Sequence, residues 1–503
     1  MTSSSLPKLR RRLPVLLATA LLAACASTGG LQPASEPRPI DDHTVTRSLS
    51  GAPLSPATFP AQDWWRSLGD PQLDALVAEA LQGSPSLAAA DARVRKAQAQ
   101  AGLANAARKP TASATAQYVE AQLPSGLAGD EIGGQLIHNA VLMLNFDVPL
   151  DVWGGKRADY LAALGQAHAG EIEAQAARLS LAANVARSYV ALAQAFDSLD
   201  VANREQARSE RLLGLSRQRV KAGIDSQLSM RNAEVSIATA KAQAEVAQQQ
   251  IDSLRNTIAA LLGQSPDRGL AIERPHLLQA DAPAIPSVLP SELLGHRPDV
   301  VAARWRVEAA AQGIKSAKAK FKPSINLSGL VGLAATGFSG LFDNDALLGF
   351  GGPAISLPIF DGGQLRQNLA SHDADYDLAV AGYDQTVVDG LHQVVDAVQA
   401  IQSLDAQSAS LDEAHVAAAA AMDLASKRYH AGLANQLDVL AVQKPLLQIE
   451  QQIAAVRAQR YAAAIDLDQA LGGGLQPAAP QSADSVSVSP SSTQSPSTPA
   501  TTP

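Results

Sequence analysis

The chain has 503 residues, a formal net charge of −8, one Cys and only 4% aromatic residues. A mildly acidic chain without a basic block is not typical of a nucleic-acid-binding protein, and a single Cys excludes an internal disulfide and any multi-Cys metal site. Apolar residues make up 46% of the chain, and many of them are Ala. Because Ala combines the highest helix propensity with a small side chain, this composition favours long, closely packed helices.

Residues 1–24 have the pattern of a signal peptide. A basic cluster at residues 8–12 precedes an apolar run at residues 13–22, which is too short to span a bilayer. The run ends in Leu22-Ala23-Ala24-Cys25, which resembles the lipobox of bacterial lipoproteins. The resemblance implies cleavage before Cys25, a diacylglyceryl group on its thiol and an acyl group on its new amino terminus. The alternative is an ordinary cleavage site with a free Cys nearby.

Two further segments have a biased composition. Residues 25–60 are rich in Pro, Ser and Thr and are predicted to be an extended tether for the lipid anchor. Ala26 follows the Cys where many inner-membrane lipoproteins have Asp, so the sequence indicates the outer membrane. Residues 474–503 consist mainly of Ser, Thr, Pro and Ala and are predicted to be a disordered tail.

The chain repeats itself. Arg219-Val220-Lys221-Ala222-Gly223-Ile224 recurs as Arg428-Tyr429-His430-Ala431-Gly432-Leu433, an offset of 209 residues, and Leu262-Gly263 recurs as Leu471-Gly472 at the same offset. The sequence therefore predicts a tandem duplication, with a first repeat at 61–288 and a second at 289–473.

The first repeat begins with a predicted helix at 85–109 that ends at a Pro. Two predicted strands follow, at about 111–123 and 136–150. Their polar and apolar residues alternate, as in the tilted strands of a β-barrel. The run 155–262 is then predicted to be a long helical hairpin that turns at Gly223.

The second repeat has the same order of elements. A helix is predicted at 298–321, strands at about 324–335 and 347–359, and a long hairpin at 364–471 that turns at Gly432. The first arm of each hairpin would extend roughly 100 Å at 1.5 Å per residue, too long for one globular domain. Four strands cannot close a barrel alone, so the chain is predicted to oligomerise if the strands cross lipid.

Three motifs resemble those of the outer-membrane efflux ducts, the TolC-like proteins, and in particular their NodT-type lipoprotein branch. They are His296-Arg297-Pro298-Asp299-Val300, Ala319-Lys320-Phe321-Lys322-Pro323-Ser324-Ile325, and Lys427-Arg428-Tyr429-His430-Ala431-Gly432-Leu433 followed by Leu437-Asp438-Val439-Leu440. The resemblance covers about residues 60–473. One departure is Lys322, which separates a Phe and a Pro that are usually adjacent in the family.

The resemblance implies an α+β membrane protein that forms a homotrimer. Three chains would supply a 12-strand outer-membrane β-barrel, and their long hairpins a periplasmic α-barrel that tapers to a closed end. This duct would dock a periplasmic adaptor and an inner-membrane pump, and it would conduct small toxic molecules or drugs passively. A lipid-anchored adaptor and a type I secretion duct are the alternatives.

The resemblance also indicates which residues work at the tapered end. It implies adaptor contacts at the turns and acidic gate residues just beyond them; the candidates are Arg219, Gly223, Arg428 and Gly432 for contact, and Asp225 and Asp438 for the gate. The structural alternatives are left-handed turns for the glycines, helix capping for Asp225 and a solvated Asp438. The family pattern has a second acidic residue three positions after Asp438, and this chain has Ala441 at that position.

No enzyme, cofactor or metal site is predicted. Asp151 and Asp361 lie just before long helices, where Asp typically caps a helix or interacts with its dipole.

Overall fold

The computed structural model describes residues 28–39, 60–122, 136–277 and 295–474, together with 47, 54, 55, 124, 126, 285 and 286. The predicted signal peptide, Cys25 and the tail beyond 474 lie outside the described residues. The helices are α1 Pro71–Gly83, α2 Pro85–Ala106, α3 Gly155–Lys221, α4 Gln227–Leu261, α5 Pro266–Leu270, α6 Pro298–Ala319, α7 Gln364–His430 and α8 Gln436–Ala470. The strands are β1 Leu54–Ser55, β2 Thr111–Gln122, β3 Leu136–Leu150, β4 Ile285–Pro286, β5 Ser324–Thr336 and β6 Leu347–Ser356.

Four strands form one antiparallel sheet in the order β2-β3-β5-β6. The two faces of β3 differ in polarity, because Leu142, Leu144 and Phe146 point to one side while Asn145 and Asp147 alternate with them on the other. The apolar side chains are exposed in the single chain. A sheet with one apolar and one polar face is suited to lie between lipid and water.

Small differences from the predicted bounds have local causes. The last strand ends at Ser356 instead of residue 359, because Ser356 pairs with Ser324 at the very start of β5 and Pro358 has no N–H to donate. The helices predicted to end at 109 and 321 end at Ala106 and Ala319, since residues before a Pro disfavour helical backbone. The sequence prediction also missed α1 and the short parallel pair of β1 with β4.

Two very long helices, α3 and α7, contain 67 residues each and extend about 100 Å. Each begins with the same device, in which an Asp carboxylate accepts hydrogen bonds from unpaired N–H groups of the first turn. Asp151 accepts from the N–H groups of Lys156 and Arg157, at 3.0 and 2.6 Å. Asp361 accepts from Leu365 at 2.7 Å.

The helices of the two repeats pack into one bundle. Helix α3 lies against α2, α4, α6 and α8, and α7 lies against α6 and α8. None of the helices in the described ranges combines the length and the hydropathy that crossing a bilayer requires. Arg297, from the first motif, is buried and joins three segments: it donates to the carbonyl of Ala470 at 2.8 Å, to Asp299 at 2.6 Å and to Gln393 at 3.0 Å.

Residues 28–39 belong to the predicted tether, and we name them the strap. They lie along α7, where the backbone N–H of Ser35 donates to Asp377 at 2.8 Å and that of Arg38 donates to Asp384 at 3.2 Å. These two Asp residues are two helical turns apart, about 10.5 Å. Three residues of extended chain span about the same distance, so the spacing of donors matches the spacing of acceptors.

Candidate functional site

The two helical turns of the hairpins, at the end of the bundle farthest from the sheet, have the same backbone geometry. Gly223 and Gly432 have φ of 73° and 77°, a left-handed conformation that Gly adopts at little cost. The N–H of the residue after each Gly reaches back five residues, from Ile224 to the carbonyl of Arg219 and from Leu433 to that of Arg428, at 2.9 Å in both cases. Each hairpin therefore ends in a Schellman motif.

Three side chains from the two repeats meet at these turns, and we name them the tip latch: Arg219, Asp225 and Tyr429. The hydroxyl of Tyr429 donates to Asp225 Oδ2 at 2.8 Å. Arg219 donates through Nη1 to the carbonyl of Tyr429 at 2.9 Å, and its guanidinium lies 4.5 Å from the centre of the Tyr429 ring. The latch thus joins the first hairpin directly to the second.

The latch is largely withdrawn from water. The side chains of Arg219 and Asp225 are each 12% exposed, their nearest N and O atoms are 3.5 Å apart, and Tyr429 is 1% exposed. Beside it, Leu212 and Val439 form a small apolar cluster with Tyr429. A partly buried ion pair is screened less by salt than a surface pair, so the latch contributes more than exposed charges would.

The surroundings of Asp225 favour its ionised form. Burial alone raises the pKa of Asp225, but hydrogen bonds from Ser229, the backbone of Ser226 and Tyr429, together with Arg219, outweigh it and hold the pKa below its ordinary value. Burial and the neighbouring Asp225 carboxylate raise the pKa of Tyr429, so its hydroxyl keeps the proton that it donates. Donor and acceptor are therefore in the correct protonation states at neutral pH.

Asp438 has a different environment. It occupies the third position of α8 in a capping box, in which its carboxylate accepts from the N–H of Asn435 at 2.9 Å and its own N–H donates to the Asn435 side chain at 3.1 Å. Its side chain is exposed. The carboxylate is thus fixed at the helix start and still open to solvent, whereas Asp225 is enclosed.

The predicted contact residues also separate into two groups. Gly223, Gly432 and Arg428 are exposed, whereas Arg219 faces inward to the latch. Next to the glycines, Ile224 and Leu433 are 64% and 72% exposed. The end of the hairpins therefore offers backbone and apolar side chains to a partner.

Sequence reasoning missed Tyr429 as a functional residue. A signal was present in the repeat itself, because the position equivalent to Tyr429 in the first hairpin is Val220. An aromatic residue that appears in only one of two otherwise matching turns indicates a role that the turn geometry does not require.

These features define a class of protein: a channel with a membrane-facing sheet and a long helical duct. The family model for outer membrane efflux proteins matches residues 76–264 and 289–473, most of the chain, and the chain belongs to this family. It is 38% identical over 372 residues to the fusaric acid resistance protein FusA of Burkholderia cepacia, covering 72% of this chain and 69% of FusA.

Two other similarities extend further along the chain. The multidrug resistance outer membrane protein MdtP of Escherichia coli strain K12 is 30% identical over 432 residues, which cover 84% of this chain and 88% of MdtP. The crystal structure of the outer membrane protein VceC of Vibrio cholerae aligns with a TM-score of 0.78 at 35% identity, covering 83% of this chain and 100% of VceC. The chain is therefore an outer-membrane efflux channel that acts with partner pump proteins, and not an enzyme. The adaptor alternative is wrong.

Proposed function

We propose that the chain is the homotrimeric exit duct of a tripartite efflux pump and that the tip latch holds its periplasmic end closed. The observation that carries the proposal is the hydrogen bond between Asp225 of the first hairpin and Tyr429 of the second. Movement of the two hairpins of one chain away from each other would break this bond, so the bond opposes widening of the duct by that movement. Three copies of the latch would surround one axis.

The sheet supports a trimer. Within the described residues, β2 and β6 each have one edge without a partner strand. Open edges are not tolerated in lipid, and four strands cannot close on themselves. Three chains give 12 strands, an even number of the size found in outer-membrane barrels.

Asp438 is proposed as the second element of the gate. Three exposed carboxylates near one axis would attract cations and repel anions, as charged rings do in cation-selective pores. The capping box keeps this carboxylate in a fixed position. Asp225, in contrast, acts through the latch.

The partners are proposed from the exposed end of the hairpins. A periplasmic adaptor would contact Gly223, Gly432, Arg428 and the apolar residues beside them, and through it the duct would receive substrate from an inner-membrane pump. The names of FusA and MdtP refer to fusaric acid and multidrug resistance. They favour small organic antibacterials over secreted proteins as the exported class. A lipid on Cys25 would add a second attachment to the outer membrane.

A susceptibility assay tests this function. The chain is expressed with its adaptor and pump in a strain that lacks its own exit duct, and resistance to a small drug should return. Asp225→Ala should retain export but admit vancomycin, which an intact outer membrane excludes. Asp423→Ala is the matched control, because Asp423 lies near the same tip, is exposed and pairs only with the exposed Lys427 among the described contacts. Equal vancomycin sensitivity of both variants would contradict the latch.

A further inference from the structure

A second polar cluster lies between α3 and α8, well away from the tips, and we name it the seam cluster: Glu205, Arg208, Ser209, Gln443 and Glu450. Glu205 is 5% exposed and Gln443 is 3% exposed. The amide of Gln443 donates a hydrogen bond to Glu205 Oε1, which also accepts from Ser209 at 3.3 Å. Arg208 donates to Glu205 Oε2 at 3.1 Å.

The cluster connects the two helices at two levels. Besides the bond from Gln443 to Glu205, Arg208 donates to Glu450 at 2.6 Å. Gln443 and Glu450 are seven residues apart, which is two turns or about 10.5 Å of α8. Two bonds at this separation fix both the rotation and the translation of α8 on α3, because a slip of one turn would break both.

These hydrogen bonds stabilise the buried carboxylate of Glu205. Burial raises the pKa of Glu205, and the hydrogen bonds from Gln443 and Ser209 together with the charge of Arg208 oppose that rise. The groups facing Glu450 are Arg208 and Arg204 on α3 and His415 on α7, the last two 3.8 and 3.9 Å away. If α8 moves away, Glu205 loses its only partner from another helix among the described contacts, and Arg208 loses Glu450.

The cluster is not a general feature of the repeat. At the offset of 209, the position equivalent to Glu205 is Ala414, and that equivalent to Gln443 is Glu234. Glu234 pairs with Arg231 on its own helix instead. The buried acid with its amide partner therefore belongs specifically to the contact between the two hairpins of one chain.

The cluster divides this contact into two parts. It lies 14 residues, or about 21 Å, from Arg219 of the tip latch along α3. On the other side, towards the sheet, Arg187 binds Asp466 at 2.7 Å and Gln469 donates to Ser180 at 3.4 Å.

We propose that the seam cluster is the lock at which α8 separates from α3 when the duct opens. The helices would part from the cluster to the tips and stay joined from Arg187 to the sheet. The inference deepens the proposed gate, because it names the residues that set how far the opening extends. Glu205 and Gln443 are thereby positioning residues for the gate.

Reversible cross-linking tests the proposal. Ser209→Cys with Gln443→Cys places two thiols at the cluster. Ser180→Cys with Gln469→Cys replaces the same two residue types on the same helices, about 40 Å closer to the sheet. Both pairs are made in a Tyr429→Phe background and bridged by a short bis-methanethiosulfonate reagent. In bilayer recordings, the bridge at the cluster should lower open probability at least tenfold, with full recovery in reductant. The bridge closer to the sheet should change it less than twofold. An unaffected open probability with the cluster bridged would overturn the proposal.

A second variant separates this proposal from the tip gate. With the native tip, Gln443→Leu removes the donor to Glu205 and should raise the frequency of openings about tenfold. Gln448→Leu, at an exposed position on the same helix, should leave it unchanged. If Tyr429→Phe channels never open, the tip latch fails as a gate, and the seam cluster is judged by Gln443→Leu alone. No increase with Gln443→Leu would overturn the lock.

Discussion

Tyr429→Phe removes the two hydrogen bonds of the Tyr429 hydroxyl, one to Asp225 and one with Ser216 Oγ at 3.3 Å. The substitution removes the hydroxyl that donates to Asp225 at 2.8 Å and keeps the ring that lies 4.5 Å from the Arg219 guanidinium. The bond from Arg219 to the Tyr429 carbonyl is also kept. Any change in gating is therefore due to the hydroxyl alone.

The expected magnitude follows from the charge of the acceptor. A hydrogen bond to a charged group contributes about 1.5–3 kcal/mol, so we take about 2 kcal/mol for each latch. Three latches that open together give about 6 kcal/mol, and about 5.5 kcal/mol is enough to move an equilibrium from 1:99 to 99:1. A channel that is almost always closed should thus become mostly open.

Single-channel recording in planar bilayers measures this shift directly. Tyr383→Phe is the matched control, since it makes the same change on α7 about 70 Å from the tip at a partly buried position. The pKa of Asp225 in the folded protein is below its ordinary value, so its carboxylate remains ionised and contributes to the latch at every pH above that ordinary value. The contribution is lost only as the pH falls through the pKa of Asp225 in the folded protein. The effect of Tyr429→Phe should therefore be constant from pH 8 to pH 5. An open probability equal to that of Tyr383→Phe would show that the hydroxyl does not restrain the tips.

Three further outcomes are expected. Asp438→Ala should lower the preference of the open pore for cations over anions, whereas Asn435→Ala, which breaks the same capping box without removing charge, should not. Unchanged selectivity in both variants would exclude Asp438 from the gate. Cys25→Ser should abolish labelling by radioactive palmitate and leave the trimer intact, and label on the variant would exclude Cys25 as the anchor. Burial raises the pKa of Asp468 to about 7, so ionisation there costs at most about 4 kcal/mol, and folding stability should increase as pH falls from 7 towards 4. Asp468→Asn should flatten that dependence in thermal unfolding, and an unaltered profile would rule out Asp468 as its source.

The sequence was informative wherever local chemistry decides the structure. Pro and Gly mark the ends of the strands and the turns, and Ala-rich runs favour long helices. The repeat at an offset of 209 residues then located both turns. Gly223 and Gly432 could be predicted because a left-handed turn needs a particular residue type at a particular place.

The contacts between the two hairpins could not be predicted in this way. Asp225 and Tyr429 are 204 residues apart, and their meeting depends on how α3, α7 and α8 pack. Glu205 and Gln443 are polar residues on long helices with many polar residues, so their burial leaves no mark in the sequence. The docking of the strap on α7 could not be predicted for another reason, since an extended Pro-rich segment has no periodicity that indicates which helix it contacts.

The strap has a consequence for how deeply the channel sits in the membrane. Cys25 is three residues before Thr28, a reach of at most about 11 Å. Gly29 lies against the guanidinium of Arg366, in the first turn of α7. A lipid on Cys25 would therefore reach the bilayer close to this turn, just after β6 leaves the sheet. The hydrogen bonds of the strap to Asp377 and Asp384, and not the length of a loose linker, would then fix where the lipid leaflet lies along the protein. That position determines how well the apolar face of the sheet matches the hydrocarbon thickness of the bilayer.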